Sequence, residues 1–272
     1  MPGPHGKAFT CDHVVHDDGS VEFACSRDVS AWPWAALHPH HPGAIQALSY
    51  WVSVECAAAL GTWDPDKWSA LTWTRWECGD FDIGAYASGT YRRTTIDGKE
   101  SFSIDFADAE GRHICRLDGR GVVFRTRDFE SWRKGDKAAA PQISSDDFDY
   151  ADAPLLGLFG DERPFLGPLD NGTAEGLLDI ANSMPPHHPW LDGSGDHVNS
   201  AHLAEVARQL VSLTRGGQPF HVTSAEMAFR HYVELGSPFT IERVGEGDGE
   251  VAIRVRQAGQ ECTNIRYALA DA

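Results

Sequence analysis

Two stretches of the chain place apolar residues at three- and four-residue steps, and most of the remainder alternates apolar with polar. In residues 44–60, AIQALSYWVSVECAAAL, the apolar positions Ile45, Leu48, Val52, Cys56 and Ala59 share one face of a helix. A second helix is predicted where Leu203, Val206, Leu210 and Leu213 form the stripe. Runs rich in β-branched and aromatic residues precede the first helix at residues 9–15 and 21–24. Others follow it at 69–81, 84–96, 101–111 and 112–127. Asp97-Gly98 marks a tight hairpin turn between two of these runs. The second helix likewise follows a strand-like run at 176–184 and precedes runs at 218–233, 237–244, 249–259 and 261–270.

The order of features therefore repeats. His-His-Pro occurs before each helix, with His41 and His188 separated by 147 residues, and the helix glutamates Glu55 and Glu205 are separated by 150. Between the copies lies a stretch of small residues, prolines and acids, as an exposed linker would have. The predicted organisation is an N-terminal unit over 1–140, a linker over 141–160 and a C-terminal unit over 161–272. An internal duplication explains it. One long helix followed by about four antiparallel strands is the pattern of an α+β hotdog unit, a central helix wrapped by a curved antiparallel sheet, so the expected fold is a double hotdog in one chain.

Composition narrows the class. The chain has 272 residues, 42% hydrophobic and 23% charged, enough to bury a sizeable core. Its 23 basic against 40 acidic residues leave a net charge of -17, which repels nucleic-acid phosphates and anionic membrane surfaces. No apolar run reaches the roughly 18 residues of a membrane helix and no signal pattern opens the chain, so a cytoplasmic protein is expected, as monomer or homodimer. The six cysteines are scattered singly and read as reduced, mostly buried thiols. The histidines show no metal-ligand spacing, and there is neither a phosphate-binding glycine loop nor a hydrolase nucleophile elbow. No metal and no resident cofactor are expected.

Residues 185–272 carry His188-Pro189, Asp192, Asp196-His197-Val198 and Glu205-Val206-Ala207-Arg208-Gln209, and then Phe229, Tyr232, Glu234-Leu235 and Pro238. This pattern resembles the second hotdog unit of the A-factor-type γ-butyrolactone synthases, the AfsA family, which implies acyl transfer. The first helix departs from that family's pattern, with Ala58 where an arginine is expected. His41 precedes Glu55 by 14 residues, a spacing similar to that of hotdog β-hydroxyacyl carrier-protein dehydratases. Asp192 with His197-Val198-Asn199 resembles simple hotdog thioesterases.

The candidate chemistry follows. Glu205, Arg208 and Gln209 share a helix face, Glu205 as acid/base and the other two as substrate-positioning groups. Histidine near a helix start can move protons at neutral pH, and unpaired N–H groups there suit a polarised thioester carbonyl. His41, His188, His197 and Glu55 complete the catalytic candidates, paired as His41 with Glu205 and as His188 or His197 with Glu55. Asp192, Asp196 and Asn199 are substrate-binding candidates. Arg125, Arg127, Arg133 and Lys134 lie in a basic run suited to an acidic carrier protein. The expected activity is on acyl thioesters tethered to the phosphopantetheine of a carrier protein or coenzyme A, in polyketide- or fatty-acid-like secondary metabolism. Dehydration of a β-hydroxyacyl group ranks first, A-factor-type acyl transfer second and thioester hydrolysis third. A hotdog that only binds acyl chains is the non-enzymatic alternative.

Overall fold

The computed structural model describes residues 7–64, 67–124, 129–160, 162–178, 197–247 and 249–272. The chain forms two compact units, Met1–Arg127 and Asp128–Ala272.

In the first unit, β1 (Thr10–Val15) and β2 (Val21–Cys25) precede α1 (Pro42–Ala59). After it come β3 (Trp68–Cys78), β4 (Ser88–Ile96), β5 (Lys99–Ala107) and β6 (His113–Phe124). They make an antiparallel sheet in the order β1-β2-β4-β5-β6-β3. Ile45, Leu48, Val52 and Cys56 of the predicted stripe are fully buried, whereas Ala59, at the last helical position, is exposed. Burying each large aliphatic of that stripe stabilises the unit by roughly 1.5–3 kcal/mol. Alternation sets the sheet register: Ile104 and Phe106 of β5 stand opposite Leu117 and Cys115 of β6, and all four are fully buried. The β4–β5 turn is the one the sequence predicts, with Asp97 at φ 52° and Gly98 at φ 72°, the left-handed pair that a two-residue hairpin of this twist requires.

The second unit begins with α2 (Phe129–Ala139) and continues through β7 (Thr173–Gly176), β8 (His197–Val198) and α3 (Ser200–Thr214). It ends with β9 (Phe220–Phe229), β10 (Val233–Glu234), β11 (Phe239–Gly247), β12 (Glu250–Gln257) and β13 (Gln260–Asp271). Its sheet runs β9-β13-β12-β11-β7, and β8 pairs separately with β10. The buried Tyr267 of β13 donates a hydrogen bond to the carbonyl of Ala204, tying α3 to the sheet.

The units divide after residue 127, and residues 141–160 pack as part of the second unit: Leu156 and Leu158 are buried, and the Ala151 N–H donates to Leu166 O at 2.9 Å. Small and acidic composition suggests an exposed strap, but these leucines anchor it. The helices also match less closely than the repeat implies. Glu55 lies four residues before the end of α1, and Glu205 lies nine before the end of α3.

Candidate functional site

The two helix glutamates are internal anchors. Glu55 is buried, and its carboxylate accepts from Phe9 N at 2.8 Å, Thr10 N at 2.6 Å and Thr10 Oγ1 at 2.5 Å. These three bonds fasten the start of β1 to α1. Glu205, fully buried, accepts from Arg208 Nε and Nη2, each at 2.7 Å, and from Gln209 Nε2 at 3.0 Å. Arg208 also donates to Gly157 O, while Gln209 donates to Arg163 O and accepts from Phe165 N. Burial opposes the charge on Arg208, and Glu205 beside it overcomes that, holding the guanidinium above its ordinary range. The cluster ties Gly157, Arg163 and Phe165 to α3. Glu55 and Glu205, the expected acid/base groups, and Arg208 and Gln209, expected to bind substrate, are thus each engaged by the protein's own groups. A carboxylate at the core edge needs partners, and here the partners are the protein's own main chain and an arginine one turn away.

The start of α3 gathers different chemistry. Asn199 is its N-cap: Asn199 Oδ1 accepts from Ala201 N at 3.0 Å and from His202 N at 3.1 Å. Because this atom faces two N–H donors it is the oxygen, and the His202 ring, 2.8 Å away through Nδ1, donates to it as well. The proton of neutral His202 therefore sits on Nδ1, leaving Nε2 with the lone pair. His202 is fully buried and lies three residues after the cap, a spacing legible in the sequence and absent from the candidate set. The cap also consumes two N–H groups that were expected to be open for a carbonyl. His197, two residues before Asn199, is half-buried on β8, and its ring meets that of Tyr232 at 4.6 Å and 77°. His188, Asp192 and Asp196 lie outside the described residues.

Arg133, expected in carrier docking, is turned inward. It is fully buried, its Nε and Nη2 reach the two carboxylate oxygens of Glu234 at 3.1 and 2.5 Å, and its guanidinium lies 4.4 Å from the centre of the Tyr232 ring. A planar fork matched to a buried carboxylate explains an arginine turned inward from a basic run. Lys134 is exposed, and Arg125 and Arg127 lie outside the described residues.

In the first unit His41 caps α1, its Nδ1 accepting from Gly43 N at 3.2 Å. The neighbouring His40 is buried, with Nε2 2.9 Å from Ile114 O. The cysteines are free thiols; Cys25, Cys56, Cys115 and Cys262 are buried, Cys78 is half-buried and Cys11 is exposed. Burial pushes Cys56 up to about 12, so the thiol beside Glu55 is no nucleophile at neutral pH. Among the described residues no group of three or more His, Cys, Asp or Glu is placed to hold a metal, and no helix is long and apolar enough to cross a membrane.

No protein-family model and no curated protein sequence matches the chain. Solved structures do. An acyl-ACP thioesterase from Bacteroides thetaiotaomicron aligns at a TM-score of 0.58 and 12% identity, over 93% of this chain and 97% of that one. A 12:0-ACP thioesterase from Umbellularia californica aligns at 0.52 and 14%, over 85% and 90%. The peroxisomal multifunctional enzyme type 2 of Drosophila melanogaster aligns at 0.51 and 10%, over 92% of this chain and 48% of that one. At such identities the likeness speaks to the fold alone, and that fold is an α+β double hotdog.

Proposed function

We propose that the protein hydrolyses acyl thioesters at the start of α3 in its second unit. One observation carries this reading: both helix glutamates hold internal bonds, while His197 lies two residues before the Asn199 cap of α3 and His202 three residues after it, bonded to that cap. Dehydration needs one group to remove the α-proton and another to protonate the departing hydroxyl, and the carboxylates expected for it are already engaged. Hydrolysis needs one base and a held carbonyl. In this reading the His197 imidazole takes a proton from water as the water oxygen bonds to the thioester carbon. Collapse of the tetrahedral intermediate breaks the C–S bond, and the imidazolium returns its proton to the thiolate. The products are a carboxylic acid and a thiol. Asn199 holds the helix start in place, and through Nδ1 it fixes the tautomer of His202.

The substrate class follows from the same reading together with two of the aligned structures, which are thioesterases of acyl-ACP. The thioester is carried on phosphopantetheine, as part of a carrier protein or as coenzyme A. The test is the product formed from saturated and β-hydroxyacyl thioesters, resolved by mass. Free acid with stoichiometric thiol supports hydrolysis, provided that His197→Ala and Asn199→Ala lower its rate. An α,β-unsaturated thioester overturns it.

A further inference from the structure

We infer that α2 and the segment after it form a clamp whose task is to position His197. This rests on the assignment of His197 as the base, and three sets of contacts within the second unit carry it.

The first is a line of side chains. Arg133 reaches from α2 to both oxygens of Glu234, and its guanidinium lies 4.4 Å from the Tyr232 ring centre. The opposite end of that line is the His197 ring, 4.6 Å from Tyr232 and nearly perpendicular to it. A cation and an aromatic ring attract, and perpendicular rings are a favoured pairing, so Tyr232 has a defined partner at each side.

The second is the main chain. Glu234 stands opposite His197 in the β8–β10 ladder, which among the described residues pairs two residues from each strand. Gln257 strengthens it, accepting from Glu234 N at 2.6 Å and donating to Glu234 O at 3.1 Å and Ser237 O at 3.0 Å.

The third is the strap beyond α2. Gln142 Nε2 donates to Leu235 O at 3.0 Å, and Ile143 N donates to Gly236 O at 2.8 Å. Residues 133–143 thus grip three successive residues, 234–236, just beyond the ring that His197 packs against. A base held by packed neighbours stays in its attacking geometry, and small losses of that geometry are expensive in rate. Arg133, Tyr232 and Glu234 are therefore positioning residues rather than catalytic ones.

The test joins a spectroscopic readout to kinetics. The His197 ring signals, assigned by comparison with His197→Ala, are recorded by 1H–13C NMR in the full chain and in Tyr232→Leu, Tyr232→Phe and the paired Arg133→Met with Glu234→Met. Tyr232→Leu is expected to erase the ring-current shift on His197 and to lower kcat about tenfold, with KM within about twofold. Tyr232→Phe, which keeps the ring, is expected to restore both. The paired variant removes the ion pair without stranding a charge and is expected to move the His197 signals in the same direction as Tyr232→Leu; if it fails to fold, the two Tyr232 variants still decide. Unchanged His197 signals and unchanged kcat in Tyr232→Leu overturn the clamp. Undiminished turnover in His197→Ala overturns the assignment of the base instead, and leaves the NMR arm to be read by itself.

Discussion

Replacing Glu55 by glutamine separates an anchoring carboxylate from a catalytic one. The side chain keeps its length and loses one acceptor oxygen and its charge. If the remaining oxygen faces Phe9 N, the new NH2 group faces Thr10 N, a donor against a donor, with both residues about 1% exposed and so out of reach of water. The stranded Thr10 N–H costs about 1–3 kcal/mol, and the surviving bond falls from charge-assisted to neutral strength, about 1 kcal/mol more. The Thr10 hydroxyl can rotate to accept from the new NH2. The expected loss is about 2–4 kcal/mol, a large share of the roughly 5–15 kcal/mol that holds a typical domain folded. Urea unfolding of wild type and Glu55→Gln measures it, and thioester turnover is read below the onset of unfolding. The expected result is a lowered midpoint with kcat within about twofold of wild type. Unchanged stability with abolished turnover would refute the reasoning, because Glu55 would then be spent on chemistry rather than on β1.

Three further outcomes follow from the geometry. Arg208→Met leaves Glu205 buried without its charge partner and should cost about 3–5 kcal/mol in urea unfolding, most of it recovered when Glu205→Met is added. Asp108 is held at about 2, below its ordinary 3.8, chiefly by the Gly84 N–H against the cost of burial, with Arg112 and Glu110 donating as well. A depressed carboxylate stabilises the fold above its unfolded value and loses that contribution as pH falls through its folded one. The stability gap between wild type and Asp108→Asn should therefore be constant above about pH 5 and close as pH approaches about 2; a gap that widens in acid would be contrary. In native protein the exposed Cys11 should react first with a thiol reagent, slowed because burial and the neighbouring Asp12 raise its pKa, and the other thiols more slowly still, since burial pushes Cys25, Cys56 and Cys78 up to about 12.

The long elements were legible because their patterns are local. The stripe through Ile45, Leu48, Val52 and Cys56 identifies α1, and the Asp97-Gly98 turn fixes the β4–β5 hairpin. What local pattern does not carry is partnership across the chain. Glu55 reads as a candidate base from its helix position, and only the fold brings Phe9 and Thr10 to it. Arg133 reads as a surface cation because it lies among Arg125, Arg127 and Lys134, yet its partner Glu234 is 101 residues away. The strands β8 and β10 have two residues each, too few for any alternation, and exist because they pair with one another. His202 was within reach of sequence reasoning: a histidine three residues after an Asn cap points its ring back toward that cap.

The central claim is that an acyl thioester is cleaved at the start of α3. Its most direct measurement is thiol release and product mass from acyl-coenzyme A and acyl-carrier thioesters, comparing wild type with His197→Ala and with His41→Ala, whose imidazole caps the helix of the other unit. The account predicts free acid and thiol in equal amounts, lost in His197→Ala and retained in His41→Ala. An enoyl thioester as product, or undiminished hydrolysis in His197→Ala, would contradict it.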